Sequence, residues 1–96
     1  MRIERAEILR CDAGWRMFSF LKLATADGIV GWSEFNESFG SQGLGAVIEE
    51  LAPLVIGMDP RASELIVARL QVMSRQSRGG VMQQAIAAIE NAVLDI

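Results

Sequence analysis

The stretch from Phe18 to Gly45, FSFLKLATADGIVGWSEFNESFGSQGLG, constrains the fold more than any other part of the chain. Residues 18–25 and 29–35 are rich in β-favouring side chains. Asp27-Gly28 between them supplies the positive-φ geometry of a hairpin turn. An isolated hairpin is only marginally stable in water, so a third strand or a helix must cover it. Residues 2–11, RIERAEILRC, read as that third strand. Its alternation is imperfect, with Ala6 and Ile8 on one face and Ile3 and Leu9 on the other, which a bulge or a partly two-sided burial would explain. Asp12-Ala-Gly14 is a turn that leaves Trp15 and Arg16 at its far lip. The result is a three-stranded antiparallel β-meander. In its middle strand Leu21 and Leu23 face the core, because Lys22, which shares the other face with Phe20, needs water at its tip.

After an irregular, glycine- and serine-rich loop (36–45), Leu44, Val47, Ile48 and Leu51 fall at i, i+3, i+4 and i+7, one face of a helix that Pro53 ends. Asp59-Pro60 predicts a second helix, with aspartate at the N-cap and proline at the first helical position. Ala62, Leu65, Ile66, Arg69 and Met73 form its stripe, and Ser74 to Gly80 closes it. A third helix runs from about Val81, burying Met82, Ala85, Ile86, Ile89, Ala92, Val93 and Ile96. Its polar residues are so sparse that burial on more than one side is expected. Strands first and helices second make the class α+β, with a bundle of about three helices after the sheet. Ile96 is an apolar, uncapped position, from which the chain is expected to continue into something longer and to leave apolar surface on the last helix for a partner.

Ninety-six residues, 51% hydrophobic and 22% charged, make one globular domain. The net charge is −3 and Lys22 is the only lysine, so there is no basic stripe for nucleic acid. No apolar run approaches the roughly 20 residues of a membrane span. A lone Cys11 excludes an internal disulfide and fits a reducing compartment, which makes a cytoplasmic location the expectation.

Histidine is absent, which removes Ser-His-Asp and Cys-His nucleophile systems and His-containing zinc sites. Glu34 and Glu37 flank the loop at a spacing that places them on opposite strand faces, a poor acid/base pair. Solvated rim charges or a hydrogen bond to the loop backbone are the alternatives. Gly40, Gly43 and Gly45 precede a helix but match no phosphate-binding fingerprint, and a loop closing over a ligand competes with a plain connection. Trp15-Arg16 can stack on a ligand or grip a carboxylate, or can simply end a strand. Cys11 is a packed strand-end residue or, less readily, a reactive thiol. No catalytic set emerges from these residues alone.

RIERAEILR, TADGIVGWSE (25–34), APLVIG (52–57), the Asp-Pro restart at 59–60 and the closing AIAAIENAVLDI (85–96), in that order, closely resemble the N-terminal capping domain of the mandelate racemase/muconate lactonizing enzymes of the enolase superfamily. The resemblance spans essentially all of residues 1–96 and implies an enolase N-terminal domain-like fold. It further implies a (β/α)₈ barrel domain C-terminal to this cap, carrying the ligands of an essential Mg²⁺ and the bases that take the proton α to a substrate carboxylate. The cap would contribute two lid loops, here Cys11–Arg16 and Phe35–Gly43, and no catalytic group. Trp15 and Phe39 would be apolar walls. Arg16, Asn36 and Glu37 would face a small carboxylate or sugar-acid substrate. The parent would be a racemase, lactonizing enzyme or acid-sugar dehydratase, and a homo-oligomer. A non-catalytic oligomerisation or ligand-binding module of the same fold is the alternative.

Overall fold

Gly28 turns the hairpin, with φ at 88°. Its N–H donates to the Thr25 carbonyl (3.1 Å), and Thr25 N–H donates to the Ile29 carbonyl (2.8 Å). Asp27 keeps a negative φ, so the left-handed residue is Gly28 alone. This computed structural model describes residues 1–37, 41–77 and 79–96. The turn joins β2 (Met17–Thr25) to β3 (Val30–Phe35), and β1 (Ile3–Asp12) pairs on the other side of β2. The sheet is antiparallel in the order β1-β2-β3.

The register explains the imperfect pattern of β1. Ala6 and Ile8 stand opposite Leu23 and Leu21, and a shift between Ile3 and Arg5 inserts one residue. The bulge returns Ile3 to the core face, where it is 1% exposed, and leaves Leu9 on the opposite face. Leu21 and Leu23 are fully buried, as the position of Lys22 required.

Helix α1 (Leu44–Leu51) buries Leu44, Ile48 and Leu51 of the expected stripe, with Val47 half-buried, and passes at Pro53 into one 3₁₀ turn (Ala52–Leu54). Helix α2 spans Ser63–Met73 and starts later than Asp59-Pro60 suggested. Asp59 is not its N-cap. The Asp59 carboxylate accepts the Arg61 N–H (2.9 Å) and the Arg61 guanidinium, which holds it well down, at about 2. The Asp59 carbonyl accepts the Ala62 N–H at 3.0 Å. These bonds close a separate turn before the helix begins. The inward face of α2 is Ile66 and Leu70, whereas Leu65, Arg69 and Met73 of the expected stripe are exposed.

Helix α3 (Gly80–Asp95) buries Ala85, Ile86, Ala88, Ile89, Ala92 and Val93. It packs against β3, β2, α1 and α2, which accounts for burial on more than one side. Small residues let it lie close to β3. Ser33 Oγ donates to the Ala88 carbonyl at 2.7 Å, and a Cβ on Gly31 would run into the Ala92 carbonyl. Asp95 Oδ2 accepts the Trp32 N–H (2.8 Å), satisfying a donor on the open side of the edge strand. The expected apolar surface on this last helix is Leu94, which is exposed, with Val81, Met82 and the following Ile96 half-buried. The larger exposed apolar side chains are instead on α2 (Leu65, Val72, Met73) and on the sheet face opposite the helices.

Candidate functional site

Two connections leave the same end of the sheet. In the β1–β2 turn, Asp12 Oδ1 accepts the Gly14 N–H (2.8 Å), Ala13 N–H donates to the Arg16 carbonyl (3.0 Å), and Gly14 takes φ 91°. That tight turn pushes Trp15 outward, where it is 74% exposed. Its ring meets Phe18 edge-on at 5.7 Å. The Arg16 guanidinium lies 4.2 Å from the centre of the Phe18 ring and 5.5 Å from that of Trp15, and bonds Glu34 Oε2 at 3.3 Å. Stacking of this kind presents a delocalised cation in a defined plane while leaving donors available.

Beyond β3, Glu37 gathers three elements. Its carboxylate accepts Arg10 Nε (2.9 Å) and Nη2 (3.2 Å) from β1, Ser19 Oγ (3.1 Å) from β2, and the Gly45 N–H (2.9 Å) at the start of α1. The Arg10 bonds, ahead of those from Gly45 and Ser19, hold the carboxyl below the usual carboxylate range. A Cβ on Gly45 would sit 2.5 Å from both Arg10 Nη2 and Glu37 Oε2, so a side chain there would push this ion pair aside.

Between the two connections lies a cleft of about 290 Å³ lined by Arg16, Met17, Ser19, Asn36 and Glu37. Arg16, Asn36 and Glu37, which the family resemblance implied as polar contacts, therefore line one cleft, although Glu37 already accepts four donor groups from three residues of the chain. Trp15 stands at its edge through the Arg16 stack. Phe39, the other expected wall, lies outside the described residues. Sequence reasoning missed Ser19 and Arg10. The available signal was their parity: a serine on the β2 face that carries Leu21 and Leu23, and an arginine on the β1 face that carries Ala6 and Ile8.

A larger hollow of about 440 Å³ lies between β1 and α1. Its floor is Ala6, Ile8, Ile48 and Pro53, and Glu4, Glu7 and Glu49 stand among its lining residues. Three carboxylates against the single cation Arg5 there disfavour an acid ligand, so the smaller cleft is the better candidate for one. Among the described residues no group of three or more histidine, cysteine or acidic side chains could hold a metal ion. Glu34 and Glu37 are each taken by an arginine, so the residues present do not fit a divalent cation. Cys11 is free and exposed on the sheet, not packed.

Residues 10–96 match the family model described as mandelate racemase/muconate lactonizing enzyme, N-terminal domain. The chain is 39% identical over 100 residues to a D-galactonate dehydratase of Klebsiella pneumoniae (strain 342), covering 100% of this chain and 24% of that protein. A D-galactonate dehydratase of Verminephrobacter eiseniae is 35% identical with the same coverage. Among solved structures, a Burkholderia xenovorans strain LB400 protein named as an L-alanine-DL-glutamate epimerase, bound to magnesium and fumarate, superposes with a TM-score of 0.92 at 46% identity. That match covers 97% of this chain and 23% of the other. An Agrobacterium radiobacter enolase named as a galactarate dehydratase, bound to sodium and L-malate, gives a TM-score of 0.85 at 26% identity, over 99% of this chain and 24% of the other. The chain thus spans about a quarter of the length of the relatives it matches.

Proposed function

The chain belongs to the N-terminal domain family of the mandelate racemase/muconate lactonizing enzymes, and on that premise we propose that it caps a larger enzyme that removes the proton α to the carboxylate of a small acid. The convergence of Arg16 and Asn36, from two separate connections, on one cleft carries this reading. Arg16 supplies a planar cation to a carboxylate or hydroxyl of the substrate, Asn36 a neutral donor and acceptor, and Trp15 an apolar wall that keeps water out. Phe39 is proposed as the second wall. Glu37 acts on substrate through its hold on the loop rather than as a free carboxylate.

No residue of this chain is assigned a chemical step. Lys22 lies over the Trp32 ring at 5.6 Å, on the sheet face away from the helices, Glu37 at the cleft is paired with Arg10, and Glu34 is paired with Arg16. The proton-abstracting bases and the ligands of Mg²⁺ are therefore assigned to a C-terminal barrel domain. Magnesium there would stabilise the enediolate that proton removal creates. The hydrogen-bonding side chains of Arg16, Ser19 and Asn36 at the cleft and the galactonate dehydratases among the relatives favour a hydroxylated acid of the sugar-acid class. A cytoplasmic homo-oligomer is part of the same proposal.

The test is steady-state turnover by the full-length protein, with Mg²⁺, across a panel of sugar acids and short dicarboxylates. Arg16→Ala is expected to raise KM for the preferred acid about tenfold while leaving kcat within about twofold, the signature of lost binding rather than lost chemistry. Its thermal midpoint should barely move, because the exposed pair with Glu34 contributes about 1 kcal/mol or less. A panel with no substrate, or an Arg16→Ala enzyme with unchanged KM and unchanged preference, would overturn the reading.

A further inference from the structure

Four hydroxyl side chains are buried among the described residues: Ser19, Thr25, Ser33 and Ser74. Three of them end on backbone. Thr25 Oγ1 donates to the Ile29 carbonyl, Ser33 Oγ to the Ala88 carbonyl and Ser74 Oγ to the Leu70 carbonyl, as hydroxyls do when their task is to hold a fold together. Ser19 differs in both partner and place. Its Oγ donates to the Glu37 carboxylate at 3.1 Å, and the residue lines the cleft between the two connections.

The Glu37 carboxylate has no acceptor capacity left for a ligand. Oε1 accepts Arg10 Nε and Ser19 Oγ, and Oε2 accepts Arg10 Nη2 and the Gly45 N–H. A carboxylate offers about four acceptor sites, and the chain itself fills them. Held below the usual carboxylate range, Glu37 is ionised at neutral pH and has no proton to give back. The Ser19 proton is therefore committed to Glu37. What the hydroxyl keeps is its lone pairs, which no donor among the described residues takes up. A free hydroxyl rotates to suit either kind of partner, whereas one pinned in this way is an acceptor of fixed polarity. Arg16, on the same cleft, has the opposite character and only donates.

We propose that Ser19 is a specificity-determining residue of the cleft, accepting a hydrogen bond from one hydroxyl of the substrate and rejecting acids that carry no donor at that carbon. The proposal rests on the functional reading above and narrows it. Arg16 takes an oxygen that brings lone pairs and Ser19 a hydroxyl that brings a proton, which fits a hydroxy acid better than a plain dicarboxylate. Ser19 is 2% exposed, so a ligand hydroxyl that reaches it meets little competition from water. That is the condition under which an unmatched polar group is most unfavourable. Ser19 touches substrate without taking part in proton removal.

The test is binding by the full-length protein with Mg²⁺, read as KM or, for analogues that are not turned over, as Ki. The probes are D-galactonate, or the sugar acid that the panel above prefers to it, and its analogues in which hydrogen or fluorine replaces one hydroxyl at a time. Fluorine fills the place of a hydroxyl and carries lone pairs but has no proton to donate. At one hydroxyl, both replacements are expected to weaken binding to the wild type by about tenfold or more, fluorine no less than hydrogen. In Ser19→Ala the same two replacements should change affinity by less than about twofold, because the group they fail to match is gone. Ser19→Cys keeps the position filled with a weak acceptor, should lose the discrimination too, and stands in for Ser19→Ala if that variant fails to fold. A fluorine analogue that binds as well as its parent at the hydroxyl coupled to Ser19 would reveal a donating serine and overturn the inference. Losses equal in wild type and Ser19→Ala at every hydroxyl would make Ser19 a purely structural residue and overturn it as well. In that case acid binding that still depends on Arg16 preserves the functional reading, whereas a protein that binds no acid ends both.

Discussion

Replacing Gly31 with valine is expected to destabilise the protein by about 3 kcal/mol or more, although valine is the better strand former. The two effects differ in size. Strand propensity spans about 1 kcal/mol between good and poor residues. Against that, any Cβ at position 31 meets the Ala92 carbonyl, Ile96 Cγ1 at 2.6 Å and Ile96 N at 3.1 Å. Two of these three atoms are backbone of the α3 segment and cannot rotate aside. Helix α3 would have to lift from β3, stretching the Ser33–Ala88 hydrogen bond and opening the layer around Ile89 and Ala92. A buried hydroxyl left without a partner adds a further cost. The check is the denaturant midpoint of the variant against wild type. A Gly31→Val protein as stable as its parent would mean that α3 does not lie where these contacts place it.

Glu37→Ala is expected to cost about 2 kcal/mol and to loosen the cleft. The lost bonds involve a charged acceptor, each worth about 1.5–3 kcal/mol where water is excluded. Glu37 is only 23% exposed, but Arg10 is 43% exposed, so solvent screening discounts the sum. The variant leaves the Gly45 N–H, Ser19 and the Arg10 guanidinium to find water. The sign of the pH effect follows from the lowered carboxyl. An acid whose folded pKa is depressed contributes stability that is fully present above its unfolded value, about 4.3. That contribution is lost as pH falls through the folded value. The wild type should therefore lose stability below about pH 4.3 more steeply than Glu37→Gln, which cannot titrate there. Thermal midpoints from pH 6 down to pH 3 would show it, and parallel curves would dismiss the ion pair as a contributor.

The residues that shape the sheet could be read in advance because each acts locally. Gly28 sets a turn with its own backbone, and the misfit between Ile3 and Ala6 left a bulge as one of two explanations, the one the register contains. Helix α1 was equally clear, since its one apolar stripe leaves a single way to bury it. Helix α2 was not. It carries apolar residues on two faces, and only packing against α3 decides that Ile66 and Leu70 turn in while Leu65 and Met73 turn out. Its start was misplaced because Asp59 spends both its carboxylate and its carbonyl on a turn with Arg61 and Ala62. The cleft was legible as a pair of connections with suitable side chains, because turns and loops announce themselves through glycine and polar residues. What the acids there actually do was not. Glu34 is claimed by an arginine 18 residues away and Glu37 by one 27 residues away, pairings that exist only once the strands are aligned.

The account stands on the claim that the β1–β2 turn and the segment after β3 close over a bound acid. Trp15 emission in a Trp32→Phe background of the full-length protein measures this directly, during titration with the preferred acid and Mg²⁺. A saturable blue shift with loss of iodide quenching, abolished by Arg16→Ala at the same acid concentration, is the expected result. Trp15 that stays as open to quencher in the saturated enzyme as in the free one would contradict it.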